Sequence, residues 1–284
     1  MPNPESCCVA LADIARSLER DLHRNRAIVH LNLHKYEAAL ADAIASVIPV
    51  PDAEGMKQNA KAHHRAGRAS YELTQFEQAA QYFRMALECS HDDAESQREL
   101  ARSLTRQKES MIGTYDFPHI CASADETHKR LDHASFTNNV VVRESPGRGR
   151  GLFATKDIKA GHLVLCEKAF SVAFASDSKT EWYTILNLNT KRGQTGPHAS
   201  LLFNIVQKLR QNPKLAIQFS DLYDGNYQPK CDASVVDGNT VIDTFQTQAI
   251  IEHNVFGCAD VKTSDDLNSA KMQPEDGPSS SAGV

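Results

Sequence analysis

Three glycines at alternating positions, Gly147, Gly149 and Gly151, are the residues whose type and spacing point most directly to chemistry. A valine-rich segment at residues 139–143 runs into them and predicts a strand, and a second apolar run follows at residues 163–165. Glycines in alternation beside a strand indicate that another group approaches the backbone, because a Cβ atom would be in its way. The sequence therefore predicts a hairpin whose glycines admit a ligand.

Two common phosphate-binding loops are excluded by the residues after the glycines. No Lys-Ser or Lys-Thr pair follows, and residues 154–161 predict a strand end and a turn, not the helix that a dinucleotide fingerprint requires. The alternative is a flexible basic turn or an RNA-binding fragment. We favour the ligand-binding hairpin, because arginine-glycine tracts are low-complexity segments and this one lies between apolar strands.

The composition is that of a globular protein with room for two domains: 284 residues, of which 41% are hydrophobic and 24% charged. The net charge of −5 and the isoelectric point near 6.2 give no support for general nucleic-acid binding, which needs a concentrated basic face. No stretch approaches the roughly 18 apolar residues of a membrane span, and the first residues lack the basic start of a signal peptide. We expect an intracellular protein, in the nucleus or the cytoplasm, without a membrane partner.

The cysteines do not predict a metal site. None of the seven belongs to a Cys-x-x-Cys pair, and a zinc site would need ligands gathered from distant parts of the chain. Reduced thiols are the expected state in a reducing compartment. The cysteines are Cys7, Cys8, Cys89, Cys121, Cys166, Cys231 and Cys258.

The first half of the chain predicts a helical repeat. Residues 33–40 align with residues 73–80 at a spacing of 40, and the agreement extends to Ala27 with Gly67. Small residues where two helices come close, with an aromatic residue after the turn, resemble the tetratricopeptide repeat, a helix-turn-helix unit of about 34 residues. We place the six extra residues in a loop at residues 48–59. The functional interpretation is a concave groove for a peptide partner; the alternative is a pair of helical hairpins without a partner site.

The repeat domain is predicted at residues 7–112 and is followed by an ordered connector at residues 113–138. Residues 7–18 resemble the second helix of an earlier repeat, and residues 93–108 resemble the polar helix that closes such arrays. The neighbouring histidines His63 and His64 face different sides of a helix, and we predict that they lie on the surface.

The second half predicts short strands around a helical insertion. Residues 156–167 predict a turn and a strand, and residues 199–219 a core-facing helix broken near Pro213. Asp243 is predicted to cap the helix that ends at Asn254. The remaining segments are a surface insertion at residues 187–197, a short hairpin at residues 235–241 and a disordered tail at residues 259–284.

The segment at residues 145–170 resembles the opening of a SET domain, the fold of most protein-lysine methyltransferases. In that family the Gly-x-Gly-Leu turn lies against the methionine part of S-adenosylmethionine. The resemblance implies S-adenosylmethionine as the cofactor, with contacts from Arg148, Gly149, Arg150 and Gly151.

A second segment, residues 250–257, is similar to the Cys-Asn-x-Phe segment of SET-and-MYND enzymes, in which the asparagine helps to hold the cofactor. The resemblance implies that Asn254 contacts S-adenosylmethionine, although His253 stands in place of the cysteine. The alternative is that Asn254 is a helix C-cap. The MYND zinc finger of that family is missing here.

The fold class expected from these patterns is α+β, with N-terminal all-α tetratricopeptide-like repeats before an incomplete, β-rich SET domain. Residues 139–258 would be the N-terminal part of that domain. The family's second signature, Asn-His-x-Cys-x-Pro-Asn, and its downstream tyrosine are not found in the sequence. We expect a fragment that lacks the catalytic half, and we assign no catalytic residue.

The function implied by the resemblance is S-adenosylmethionine-dependent methylation of a protein lysine, with the repeats docking a substrate or partner. The chain by itself is expected to show no measurable lysine methylation, and its unpaired strand edges are expected to promote aggregation. The alternative is a non-catalytic interaction scaffold with a vestigial SET half.

Overall fold

The structure is a computed structural model that describes residues 4–124, 130–174, 184–188, 191–228, 235–236 and 239–257. The helices are α1 (Pro4–Asn32), α2 (Tyr36–Ala45), α3 (Ala53–Glu72), α4 (Phe76–Cys89), α5 (Ala94–Ile112), α6 (Phe117–Ala122), α7 (Pro197–Gln211), α8 (Pro213–Ser220) and α9 (Thr244–Asn254). The strands are β1 (Val140–Ser145), β2 (Gly149–Ala154), β3 (Thr184–Asn187), β4 (Arg192–Thr195), β5 (Val235–Val236) and β6 (Asn239–Thr240). The α+β class is confirmed, and the described residues are mostly helical.

The predicted helix-turn-helix repeat is present as two stacked hairpins, α1–α2 and α3–α4, with α5 packed on α4. Helices approach where side chains are small: Ala27 and Ala43 are fully buried together in the first hairpin. In the second hairpin Phe83 is fully buried against Gly67, where a Cβ atom would lie 2.7–2.9 Å from the phenyl ring. Two small residues, Ala27 and Ala43, in the first hairpin thus correspond to a glycine and a phenylalanine, Gly67 and Phe83, in the second.

The N-terminal helix differs from the prediction of two separate helices. The segment predicted at residues 7–18 continues without a break to Asn32, since no glycine or proline interrupts it. Its N-terminal half leaves an apolar stripe about 60–64% exposed. The residues of this stripe are Leu11, Ile14, Leu18 and Leu22.

The loop predicted at residues 48–59 is shorter than expected. Asp52 accepts a hydrogen bond from Gly55 N (2.7 Å) and starts α3 inside the predicted loop. Asn59 then pairs with both backbone groups of Ile48, donating to its carbonyl at 2.9 Å and accepting from its N–H at 2.8 Å.

The predicted surface position of His63 and His64 is wrong. His63 is buried and stacks on Tyr82, and His64 lies against Phe83 and shares a hydrogen bond of 2.8 Å with Ser96 Oγ. Neighbouring helices cover two sides of α3, so adjacent residues that face different sides are both covered. Burial lowers the pKa of both histidines.

The end of α5 joins the repeats to the second half of the chain. Gly113 ends the helix with φ +68° and packs directly beneath the ring of Phe136. The backbone of Ala134 is held from both sides: its N–H donates to Glu109 Oε2 (2.9 Å), and its carbonyl accepts from Tyr115 Oη (2.8 Å). These contacts lie within one compact unit, formed by the chain up to Tyr115 together with His133–Asn254.

A polar junction also joins the two halves through Asn212, which lies between α7 and α8. Proline at position 213 restricts the backbone of Asn212, which adopts φ −135° and ψ 82° and breaks the helix where the sequence predicts a break. Its side chain is 1% exposed and bonds to the turn before α2. Around it, α7, α8 and α9 enclose an apolar cluster formed by Ile205, Leu209, Phe219, Ile250 and Ile251.

The strands of the described residues form three separate two-stranded antiparallel sheets, β1–β2, β3–β4 and β5–β6. The strand predicted within residues 156–167 is wrong in extent, because only a single bridge between Phe136 and Cys166 forms there. The prediction of a β-rich half is therefore met only by short hairpins in the described part of the chain.

A second compact unit contains residues 116–124 and 130–132 of the described chain. Its helix, α6, is capped by Asp116, whose carboxylate accepts from His119 N (3.0 Å). The weak apolar periodicity of this segment did not predict a helix. The predicted tail at residues 259–284 lies outside the described residues. No helix within the described ranges is long and apolar enough to cross a membrane.

Candidate cofactor-binding hairpin

The predicted glycine hairpin is formed by β1 and β2, which pair from Val140 with Ala154 to Ser145 with Gly149. Arg148 N donates to Ser145 O (2.9 Å), which closes a turn with Pro146 and Gly147 at its centre. Gly147 has φ +72°, so this is the type II turn, in which proline precedes a glycine. The turn directs Arg148 into solvent.

The backbone conformation gives Gly147 and Gly149 a reason of their own, besides the predicted approach of a ligand. A Cβ atom on Gly147 or Gly149 would meet no atom within 4 Å apart from the adjacent residues, so no packing contact of the described chain requires glycine there. Both residues have positive φ, +72° and +74°, which only glycine adopts readily. At Gly151 a Cβ atom would lie 3.1 Å from Phe153 Cε2. The backbone at the turn is therefore exposed and free for a ligand to approach.

Arg150 ties the hairpin to the loop at residues 221–227, which follows α8. Its Nη1 lies 2.7 Å from Asp221 Oδ2, and its Nη2 also donates to the Asp221 carbonyl. Both side chains are substantially exposed, so the pair orients the hairpin and contributes little to stability.

Asn254 reaches the same loop from the end of α9. Its Nδ2 donates to Tyr223 O (2.8 Å) and to Ile250 O (2.7 Å), so one carboxamide closes the helix end and holds the loop. These bonds give Asn254 the role of the predicted alternative, a residue that caps the end of its helix. Its contact with S-adenosylmethionine stays a prediction.

His253, which stands where the similar Cys-Asn-x-Phe segment has a cysteine, packs on the same loop. Its ring meets Tyr223 edge-on at 5.1 Å, and a Cβ atom on Gly225 would lie 2.5 Å from its Cε1. Gly225 also has φ +71°, so both backbone conformation and packing require glycine there. Sequence reasoning missed Gly225, although the Asp224-Gly225 pair is a recognised turn signal.

The other side of the loop is fixed to the start of α9. Asp224 accepts from Tyr227 N and from Gln246 Nε2, each at 3.2 Å, and Tyr227 Oη donates to Asp243 Oδ2 (3.1 Å). Desolvation and the bond to Asp243 raise the pKa of Tyr227. Asp243 caps α9 as predicted, accepting from Phe245 N (2.9 Å).

The structure thus brings two of the predicted cofactor-binding residues to the same loop, and the other three do not reach that loop. Arg150 and Asn254 meet at residues 221–225, whereas Arg148, Gly149 and Gly151 lie along the hairpin itself. Among the described residues, no group of three or more His, Cys, Asp or Glu side chains is arranged to hold a metal ion.

Two cavities lie outside this region, in the repeat helices, and the sequence did not predict them. One of about 370 Å³ is lined by residues 74–78 and by Gln107, Ser110 and Met111. The other, of about 180 Å³, is lined by Arg68, Tyr71, Glu72, Glu95, Glu99 and Arg102. The smaller cavity is lined mainly by charged side chains, whereas the lining of the larger one also includes the apolar Phe76 and Met111.

Comparison with known proteins gives one informative similarity. A Gibberella zeae protein described as "Methyltransferase" is 36% identical over 235 residues, which is 82% of this chain. The chain spans 31% of the length of that protein. No family model and no solved structure matches the chain. A homologue at this identity over most of the chain supports a methyltransferase.

Proposed function

We propose that this chain belongs to an S-adenosylmethionine-dependent protein-lysine methyltransferase of the SET family. The observation that supports this most strongly is the 36% identity to a methyltransferase over 82% of the chain. A match of that length in a chain of 284 residues necessarily includes the β1–β2 hairpin, which lies in its middle. The hairpin also carries the residues that resemble the opening of a SET domain.

The exposed hairpin turn fits a cofactor that is held against backbone. At Gly149 the positive φ and the open space on the Cβ side leave that side of the backbone accessible to a second molecule. Arg148, Gly149, Arg150 and Gly151 would hold the cofactor along the hairpin, and Asn254 would hold it from the loop at residues 221–225. When bound, S-adenosylmethionine supplies an activated methyl group.

The chain's own contribution is to bind and orient. The bond between Arg150 and Asp221 orients the hairpin, and the bond from Asn254 to Tyr223 holds the same loop at the end of α9. A lysine substrate has to lose its proton before it attacks, against an ordinary pKa of about 10.4. We assign no residue of the described chain to that step.

Cofactor binding, rather than turnover, tests the proposal, because the hairpin would act in binding. Radiolabelled S-adenosylmethionine is cross-linked by ultraviolet light to the full chain and to the variants Gly149→Ala and Gly161→Ala. Both glycines have positive φ, +74° and +85°, and open space around a Cβ atom, so the substitutions strain the backbone similarly. We expect Gly149→Ala to lose most of the labelling and Gly161→Ala to retain it.

Two results would contradict the proposal. One is a folded wild-type chain that is not labelled above a heat-denatured control. The other is equal labelling of the two glycine variants, which would place any bound cofactor away from the hairpin.

A non-catalytic interaction scaffold is the second candidate, supported by the well-packed helical repeats and their cavities. We propose that these repeats are of the tetratricopeptide type and dock the lysine-bearing protein or another peptide in their groove. Absence of cofactor labelling, together with retained peptide binding, would favour the scaffold.

A further inference from the structure

The turns that open α2 and α4 have the same backbone. His34 and Thr74 have φ +56° and +62°, values that residues other than glycine seldom adopt. The residues that follow, Lys35 and Gln75, have φ −90° and −89° with ψ 66° and 65°. Two copies of one turn therefore lie 40 residues apart.

The hydrogen bonds of the two turns match as well. Lys35 N donates to His30 O and Gln75 N to Ser70 O, both at 2.9 Å. Neither Lys35 nor Gln75 caps its helix with a side chain. Each turn therefore presents the first N–H groups of its helix to whatever lies next to it.

In the first copy, a segment from the other half of the chain takes these groups. Asn212 Oδ1 accepts from Tyr36 N (2.8 Å) and Glu37 N (3.4 Å), while its Nδ2 donates to His34 O (2.9 Å). Glu37 Oε1 accepts from Lys214 N (2.9 Å). The segment bound in the first copy is thus an asparagine directly before a helix. The turn bonds to both the oxygen and the NH₂ group of its carboxamide.

In the second copy, the corresponding residues line the cavity of about 370 Å³. Thr74 to Gln78 form one wall, and Gln107, Ser110 and the exposed Met111 form the other. Among the described residues no side chain occupies the position that Asn212 has in the first copy. Glu77, the counterpart of the half-buried Glu37, is exposed.

We propose that the turn at residues 74–78 docks a protein segment with the chemistry of Asn212-Pro213-Lys214, an asparagine directly before a helix. The first copy shows that this backbone holds such a segment, and the second has the room for one. This site lies at the turn that closes the α3–α4 hairpin, and the proposal does not depend on methyl transfer.

The turn selects a carboxamide over a carboxylate. It offers two N–H donors and one carbonyl acceptor, which an asparagine satisfies with one oxygen and one NH₂ group. An aspartate has no donor for the Thr74 carbonyl and would bring a second negative charge close to Glu77. Met111 gives the cavity an apolar wall against which the following helix packs.

The probe is a peptide that copies residues 208–220 of this chain, with Asn→Ala and Asn→Asp versions as controls. Amide hydrogen exchange is followed in the full chain at residues 74–78 during titration to about 1 mM peptide, the weakest affinity of interest. We expect the Asn peptide to protect these amides and both control peptides to bind about 5-fold or more weakly, as the loss of one hydrogen bond predicts.

Matched protein variants locate the binding. Glu77→Ala changes the open copy and should weaken binding about 5-fold, whereas Glu37→Ala changes the occupied copy and should leave protection at residues 74–78 unchanged. Circular dichroism checks that both variants are folded. No protection at residues 74–78, equal protection by the three peptides, or protection only at residues 34–37 would each overturn the proposal.

Discussion

The helical repeats and the β1–β2 hairpin both contain regularly spaced apolar residues. These side chains are buried in the repeats and exposed in the hairpin. Ala43 and Phe83, in the repeats, are fully buried. Val142 and Leu152, which face each other across the hairpin, are 58% and 55% exposed. Adjacent helical hairpins cover each other, so each added hairpin buries the apolar face of the one before it.

A lone two-stranded sheet has no such neighbour. It has two faces and two edges, and isolated hairpins of this kind are marginally stable in water. The difference indicates that the repeats contribute far more to the stability of the described chain than the hairpin does. The hairpin provides an exposed apolar surface that another element or a binding partner can cover.

The largest expected effect lies at the repeat interior, where the comparison predicts strict packing. Phe83→Ala should lower the free energy of unfolding by about 3–5 kcal/mol, because the side chain is fully buried. Adding Gly67→Ala should recover about 1 kcal/mol or more, since it fills part of the cavity as Ala27 does opposite Ala43. Urea denaturation followed by circular dichroism measures both values.

Phe245→Ala is the matched control for this pair, because Phe245 is 66% exposed at the start of α9. It should change the free energy of unfolding by less than about 0.5 kcal/mol. A double variant less stable than Phe83→Ala alone would show that the two hairpins do not use equivalent packing.

The next effect concerns pH and the buried His63. Burial lowers its pKa in the folded state, so the unfolded chain takes up a proton first as the pH falls below about 6.5. Stability should therefore decrease as the pH drops from 7.5 to 5.5. His63→Phe keeps a ring against Tyr82 and removes the titrating group and its buried Nδ1, which has no partner among the described residues. It should be more stable than the wild type at pH 5.5, by about 1 kcal/mol.

Thermal unfolding at the two pH values measures this difference. The exposed His91, changed to Gln, is the control and should leave the pH dependence as it is in the wild type. Glu88 opposes the effect, because its charge favours protonated His63. If His63→Phe had the same pH dependence of stability as the wild type, protonation of His63 would not be the cause of that dependence.

Local signals predicted much of this structure. The spacing of 40 found the two helical hairpins, Pro213 marked the break between α7 and α8, and Asp243 marked the start of α9. Each of these depends on residues near one another in sequence. The continuity of α1 was missed because residues 7–18 were assigned to an earlier repeat, although no glycine or proline separates them from the residues up to Asn32.

Contacts between distant residues were not predictable from a single sequence. Asn212 lies 176 residues from Tyr36, and nothing in either segment shows that they bond. The glycine turn shows a second limit of prediction from a single sequence, which is that the reason for a glycine is not visible. A glycine needed for positive φ and a glycine needed for close approach look the same in a sequence, and Gly149 is of the first kind in the described chain.

The smallest expected effect on stability is at the hairpin, and it is the most direct test of the comparison. The double variant Val142→Thr and Leu152→Thr replaces two exposed apolar side chains with β-branched residues that suit a strand. The free energy of unfolding should change by less than about 0.5 kcal/mol, because little burial is lost. Light scattering on concentrated protein should decrease, because an apolar surface beside open strand edges is removed.

The buried Ile251, changed to Thr, is the opposite case and should cost about 1–3 kcal/mol, since a hydroxyl group is placed in an apolar cluster. If the hairpin double variant costs as much as Ile251→Thr, its apolar face is covered in solution and the two regions do not differ as described. If the double variant is neutral but scatters light as the wild type does, aggregation arises elsewhere, and the exposed stripe of α1 is the next surface to change.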